Sequence, residues 1–215
     1  MAAKFPEKRF DLGLVHTYGF EGGLHPNLRG TIVNNAAAEL YRLGLIDTLI
    51  VAGGKIGGPK LPDVSVVSAN DLHDRLGVPR NRIVVVPRII RPNGQTVEVR
   101  STRLEIEALI QIANTEGTAN FTSVADSLHK RYVERQHLKM RTGAETYNAS
   151  GILVSLAYPK SDYLPMLFEL EYSRDQLIFG LQEDLINFVD SLPLTSRLLE
   201  FLAQQMTTKP NLGGN

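Results

Sequence analysis

The chain is built on one repeated unit: a short, nearly continuous apolar run followed by a segment whose apolar residues recur with helical spacing. Asp11–His16 (DLGLVH) is the first such run, and Arg29–Leu43 follows it with Ile32, Val33, Ala36, Ala37, Leu40 and Leu43 on one stripe. Thr48–Ala52 (TLIVA) precedes a helix over Val64–Leu76, and Arg82–Val86 (RIVVV) precedes an irregular stretch, Pro87–Arg100, and a helix over Thr102–Glu116. Asn120–Ala125 precedes a helix over Leu128–Met140, and Ile152–Tyr158 (ILVSLAY) completes the series as a fifth strand. Runs without polar alternation belong to strands buried on both faces, which a parallel sheet between two helical layers supplies. The expected fold is therefore α/β, a three-layer Rossmann-like sandwich with a mainly parallel sheet of about five strands and C-terminal helices packed on it.

Those last helices are read from Ser173 and Gln176, spaced as a capping box ahead of apolar positions to about Asp190, and from Thr195–Met206. The organisation that results is a single domain over 1–207, with a core of about 10–160, a helical extension of about 161–207 and a frayed tail at 208–215.

Composition narrows the function classes. The 215 residues carry 23 basic and 23 acidic side chains, so the net charge of zero argues against a protein that coats nucleic acid. The absence of cysteine excludes a disulfide scaffold, thiolate-bound zinc, iron–sulfur clusters and thiol catalysis. The first residues, MAAKFPEKRF, lack the apolar core of a secretory signal, and no stretch reaches the roughly 20 apolar residues of a spanning helix, so a soluble, cytoplasmic protein is expected.

In open parallel sheets, ligands bind beyond the carboxyl ends of the strands. The loops expected there hold His16, Thr17, Gly19, Gly22 and Gly23 after the first strand. They hold Gly53, Gly54, Lys55 and Lys60 after the second, and Ser123, Asp126 and His129 after the fourth. Glycines admit close approach of backbone N–H groups, helix N-termini add partial positive charge, and Arg29 and Lys55 add full charges, a combination suited to a phosphate or carboxylate. Two familiar phosphate motifs are missing: Gly53–Lys60 does not supply a P-loop, and the loop after His16 lacks the G-x-G-x-x-G spacing of a dinucleotide fold.

In order along the chain stand a helix from Arg29 through Leu40-Tyr41-Arg42, IVAGG at Ile50–Gly54, Ser68-Ala69, LGVP at Leu76–Pro79, Ser101-Thr102 with Glu105, and TSVADSLHKRY at Thr122–Tyr132. This order resembles the SanA/ElyC/YdcF-like family of bacterial proteins. The resemblance implies a charged pocket at the strand ends of a Rossmann-like fold, and a polar set of Arg29, Gly53, Gly54, Thr102, Glu105, Ser123, His129 and Arg131, with Glu183 a weaker match. One branch of the family is associated with S-adenosylmethionine, which enters as a cofactor by resemblance alone. Departures are His16 in the first loop, Ala52 where a serine is usual before the glycine turn, and the lack of the family's usual acidic residue near Ser68-Ala69.

The leading expectation is a small-molecule hydrolase or transferase acting on a phosphorylated or nucleotide-like substrate. His129 and Glu105 are its catalytic candidates, and His16, Gly19, Arg29, Gly53, Gly54, Lys55, Thr102, Ser123 and Arg131 its ligand-binding ones. Each has a plainer explanation: Thr102 and Glu105 have capping-box spacing, Arg29 can pair with a loop acid such as Glu21, and His25, His73 and His137 read as surface or packing residues. No histidine and carboxylate spacing marks a metal site. The basic helix from Leu128 reads as a solvated face with no nucleic-acid partner. The rival functions are a non-catalytic S-adenosylmethionine or nucleotide-binding module and a homodimer paired through the C-terminal helices.

Overall fold

The computed structural model describes residues 8–21, 25–55 and 60–157. Strand β1 spans Phe10–His16, and a small antiparallel hairpin, β2 (Phe20–Glu21) with β3 (His25–Pro26), interrupts the loop after it. Helix α1 (Leu28–Arg42) leads to β4 (Ile46–Ala52), α2 (Val64–Asn70) continues into one π-helical turn (Asp71–Arg75), and β5 covers Ile83–Val86. A second hairpin, β6 (Arg88–Ile90) with β7 (Thr96–Glu98), fills the stretch read as irregular. Helix α3 (Thr102–Glu116), β8 (Phe121–Ala125), α4 (Lys130–Lys139), β9 (Thr146–Asn148) and α5 (Ala149–Ala157) follow.

The five main strands form one wholly parallel sheet in the order β5-β4-β1-β8-β9. The chain moves outward from β1 through β4 to β5, then returns to the other side of β1 for β8 and β9. The order therefore reverses between β1 and β8, and the ends of those two strands frame the crevice where such sheets bind ligands.

Alternation along the strands divides the core into two apolar layers. Val15, Leu49 and Val51 face α1 and α5, where they meet Val33, Ala36, Leu40 and Ile152. Leu12, Leu14 and Ile50 face α3 and α4 and meet Ile106, Leu109 and Val133. Each large side chain buried this way contributes roughly 1.5–3 kcal/mol. Helix α1 brings alanines at 36, 37 and 38 to its fully buried side, which lets its backbone lie close to its neighbours. Gly117 ends α3 in the left-handed conformation, φ +69°.

One expected strand is corrected. Ile152–Tyr158 is not the fifth strand: its described residues belong to α5, and the fifth strand is the short, polar Thr146–Asn148 just before it. A brief apolar run has no periodicity that separates a strand from a buried helix, and here Ile152 packs against the α1 layer as a helical residue. The two helices expected after Pro159, Glu183 and the tail lie outside the described residues. Among the described residues, no helix is long and apolar enough to cross a membrane.

Candidate functional site

His16 is the last residue of β1, and the strand's alternation turns its side chain toward α3. There Glu105 occupies the first turn of the helix. Their side chains meet at 2.6 Å, His16 Nδ1 against Glu105 Oε2. The other carboxylate oxygen accepts from the backbone N–H of Thr17 at 3.1 Å and lies 2.8 Å from Thr17 Oγ1, which is also 2.8 Å from the Ala52 carbonyl oxygen. The capping box expected from Thr102 and Glu105 does not form. Ser101 caps α3 instead, its hydroxyl accepting from Leu104 N–H, and this leaves Glu105 to face the end of β1. His16 is 1% exposed and Glu105 5%. Nε2 of His16 is buried and has no hydrogen-bond partner, a costly condition in a packed interior.

Beside this pair runs a second network that spans the end of the sheet. Arg29 stands in the first turn of α1, where the helix dipole disfavours a cation. Its Nε donates to Asp126 Oδ2 at 2.5 Å, and its guanidinium lies over the Tyr18 ring at 4.5 Å. The acid that holds Arg29 is therefore Asp126, in the loop after β8, rather than Glu21. The other Asp126 oxygen accepts from the backbone N–H of His129 at 2.9 Å. The Tyr18 hydroxyl accepts from Asp126 N–H and lies 3.0 Å from His129 Nδ1; Thr102 Oγ1 lies 2.9 Å from His129 Nε2. The assignment consistent with these contacts has Tyr18 donating to Nδ1 and Nε2–H donating to Thr102. His129 also stacks on Tyr132 and meets the edge of His16, with ring centroids 5.5 and 5.6 Å apart. Burial first, then the electrostatic influence of His16 and of the Arg29 guanidinium, holds its pKa well below the ordinary range, so the ring is neutral. Burial and the nearby Asp126 carboxylate push the Tyr18 phenol well above its usual value.

The glycine turn after β4 is closed rather than open. Gly53 N–H donates to Val86 O, Gly54 N–H to Val99 O, and Lys55 N–H to Glu98 Oε1 at 2.8 Å. Val64 and Ser65, at the start of α2, donate to the Gly54 and Gly53 carbonyls. A Cβ on Gly53 would lie 2.5 Å from Thr17 Oγ1, and one on Gly54 2.3 Å from Glu98 Cγ, so both glycines serve close internal packing. Gly19 supports the β2–β3 hairpin by accepting from Asn27 N–H. Ser123 is buried and lies 2.7 Å from His137 Nε2 on α4. Arg131 projects into solvent from α4 and does not join either network.

No family model, curated protein or solved structure matches this chain.

Of the residues singled out from sequence, the fold brings His16, Arg29, Thr102, Glu105 and His129 together at the reversal point and leaves Ser123 and Arg131 apart. Thr17 and Asp126, placed from sequence in the loops of this edge but given no role, join them, and so does Tyr18, which was not singled out. Asp126 was detectable, since an Asp three residues before His129 has the geometry to accept its N–H. Tyr18 sits in a glycine loop whose sequence says nothing about direction. His137, read as a surface or packing residue, is buried between Ser123 and Thr142. Among the described residues no group of three or more His, Asp and Glu side chains could hold a metal ion.

Chemically, the site offers one imidazole nitrogen fixed by a carboxylate and one buried without a hydrogen-bond partner, a guanidinium held in a set orientation, and a neutral histidine whose two nitrogens are both occupied. The first is the arrangement of a general base.

Proposed function

We propose that this protein is a small-molecule hydrolase or group transferase acting on a phosphorylated or nucleotide-like substrate at the carboxyl edge of the sheet, with His16 as the group that accepts the proton. One observation carries this reading: His16 is buried, its Nδ1 is held by Glu105 at 2.6 Å, and its Nε2 is unpartnered. Glu105 favours the tautomer protonated at Nδ1, which leaves the Nε2 lone pair to take a proton from water or a substrate hydroxyl as it attacks.

Arg29 supplies the anion contact. Its Nε bond to Asp126 and its place over Tyr18 restrict it before a ligand arrives, so little side-chain freedom remains to be lost on binding. In this reading His129 gives up the acid–base role that its position in the sequence suggested. With both ring nitrogens hydrogen-bonded and its charged form disfavoured, it positions Tyr18 and Thr102 around the site. The resemblance to the SanA/ElyC/YdcF-like family adds a charged pocket at the strand ends.

The test is turnover of a panel of chromogenic phosphomonoesters and phosphodiesters. His16→Asn retains a donor for Glu105 but lacks Nε2, and should reduce kcat by about 100-fold or more. Arg29→Ala should mainly raise KM. Equal turnover by His16→Asn and the parent contradicts the proposal. So does saturable binding of S-adenosylmethionine or nucleotides with no turnover of any ester, which would favour a binding module.

A further inference from the structure

Thr102 opens α3, is 3% exposed, and places its Oγ1 2.9 Å from His129 Nε2. That contact ends a chain of hydrogen bonds that begins on the backbone of Asp126. A backbone N–H only donates, so the Tyr18 oxygen accepts from Asp126 N–H at 3.3 Å. The Tyr18 hydroxyl in turn lies 3.0 Å from His129 Nδ1.

A neutral imidazole has one N–H to give, so this chain runs in one of two directions and leaves one hydroxyl hydrogen over at its end. Run toward Tyr18, it gives the phenol oxygen two donors, Asp126 N–H and His129 Nδ1–H. The phenol's own hydrogen is then buried with no acceptor among the described residues. Run toward Thr102, every group before the last is filled: Tyr18 donates to Nδ1, and Nε2–H donates to Thr102 Oγ1. The hydrogen left over belongs to the Thr102 hydroxyl, which turns about its Cβ–Oγ1 bond and has no other partner among the described residues.

A second unfilled group belongs to the same cluster. Glu105, one turn along α3 from Thr102, holds His16 Nδ1 at 2.6 Å, and the His16 ring meets the edge of His129 with centroids 5.6 Å apart. His16 Nε2 is buried without a hydrogen-bond partner. The two unfilled positions are of opposite sense, a hydrogen on Thr102 and a lone pair on His16. We infer that Thr102 binds the substrate: its hydroxyl donates to a phosphoryl oxygen, with its direction fixed by the chain from Asp126 through Tyr18 and His129. His129 is then a positioning residue for Thr102. This rests on the proposed reading of the cluster as a phosphate-ester site. A ligand that fills both positions brings an acceptor oxygen for Thr102 and an O–H for His16.

Two measurements on the full chain test it. In the parent protein, the ¹⁵N resonances of His129, assigned through His129→Gln, should show a neutral ring protonated at Nε2 with Nδ1 accepting. A ring protonated at Nδ1 reverses the chain, puts the spare hydrogen on Tyr18 and overturns the inference while leaving His16 as the proposed base. Calorimetric titration with inorganic phosphate then compares Thr102→Ser, which keeps the hydroxyl, with Thr102→Val, which keeps the shape. Thr102→Val should weaken phosphate binding by about tenfold and Thr102→Ser by less than about threefold. Thr102→Ala carries the same expectation as Thr102→Val and replaces it if the valine variant does not fold. Phosphate affinity unchanged in the variants that lack the hydroxyl, but lowered in Arg29→Ala, overturns the inference and leaves the anion contact standing. Failure of the parent protein to bind phosphate overturns the anion contact and the inference together.

Discussion

His16 and Glu105 lie 89 positions apart in the chain and meet at 2.6 Å, imidazole Nδ1 against carboxylate Oε2, where the end of β1 faces the first turn of α3. Neither residue is in an ordinary place for its type. A buried imidazole with one free nitrogen and a carboxylate that does not cap its own helix are both unfavourable alone, and each explains the other. The carboxylate gains a donor from His16 and two contacts from Thr17, while the imidazole gains a fixed orientation.

Removing the carboxylate should separate orientation from binding. Glu105→Gln keeps the volume, but its amide can no longer accept at both ends as a carboxylate does, and His16 loses its fixed tautomer. We expect kcat to fall by about 10–100-fold with KM nearly unchanged, and a thermal midpoint lowered by an amount corresponding to about 1–3 kcal/mol. Steady-state kinetics with calorimetry checks this; a raised KM with unchanged kcat would assign Glu105 to substrate binding instead.

Stability should fall with acidity before the carboxylates titrate. Burial holds His129 well below the ordinary histidine range, and burial, with a smaller electrostatic influence of His16, lowers His137 to about 3. Below about pH 6.5 the unfolded chain takes up protons at these two sites that the fold refuses, so the stabilisation present above that pH is lost progressively toward pH 3. The limiting slope is about 1.4 kcal/mol per pH unit for each histidine. Denaturant unfolding between about pH 6.5 and 5 lies above the range in which Glu98 and Asp71, both lowered, begin to protonate. His137→Gln should flatten the dependence, and a parent protein equally stable across that interval contradicts the account.

Gly53→Ala should be destructive out of proportion to one methyl group. The new Cβ would lie 2.5 Å from Thr17 Oγ1 and 3.5 Å from Ser65 N, and relieving it moves Thr17 away from Glu105. A loss of about 1–3 kcal/mol is expected, visible as a lower thermal midpoint together with reduced turnover. Gly44→Ala meets nothing within 4 Å, so its loss reflects only the left-handed φ of +68° and should leave turnover intact.

Tyr18→Phe should retain the ring under Arg29 and remove the hydroxyl between Asp126 N–H and His129 Nδ1. Two buried polar groups lose a partner, so destabilisation of about 1–3 kcal/mol is expected with phosphate affinity changed only slightly. Unfolding free energy and a phosphate titration measured on the same preparation distinguish this from a direct role of the hydroxyl in binding.

The architecture was legible because apolar strands buried on both faces leave a strong trace: β1, β4, β5 and β8 follow their runs closely. Ile152–Tyr158 misled for a physical reason, since an apolar run shorter than three helical turns carries no period, and the true edge strand, Thr146–Asn148, is too polar and short to announce itself. The converging residues at the edge were legible as a set because they end strands or begin helices. Their internal assignments were not. Which of His16 and His129 keeps a free nitrogen depends on whether Tyr18 and Thr102 turn inward, and whether Gly53-Gly54-Lys55 is an open cradle depends on Glu98 arriving from a hairpin more than forty positions later. Both are long-range contacts between single side chains, invisible to spacing. Of the surface and packing readings left open for His137, the fold takes the second: it lies on the buried stripe of α4, between Ser123 and Thr142.

The most direct measurement of the central claim is the tautomeric state of His16 by ¹⁵N nuclear magnetic resonance of the histidine-labelled protein, assigned through His16→Asn. With Glu105 accepting from Nδ1, the neutral ring should carry its proton on Nδ1 and present a bare Nε2 whose resonance moves when phosphate is added and does not move in Arg29→Ala. A neutral His16 protonated at Nε2 would leave the site without its base and contradict the account.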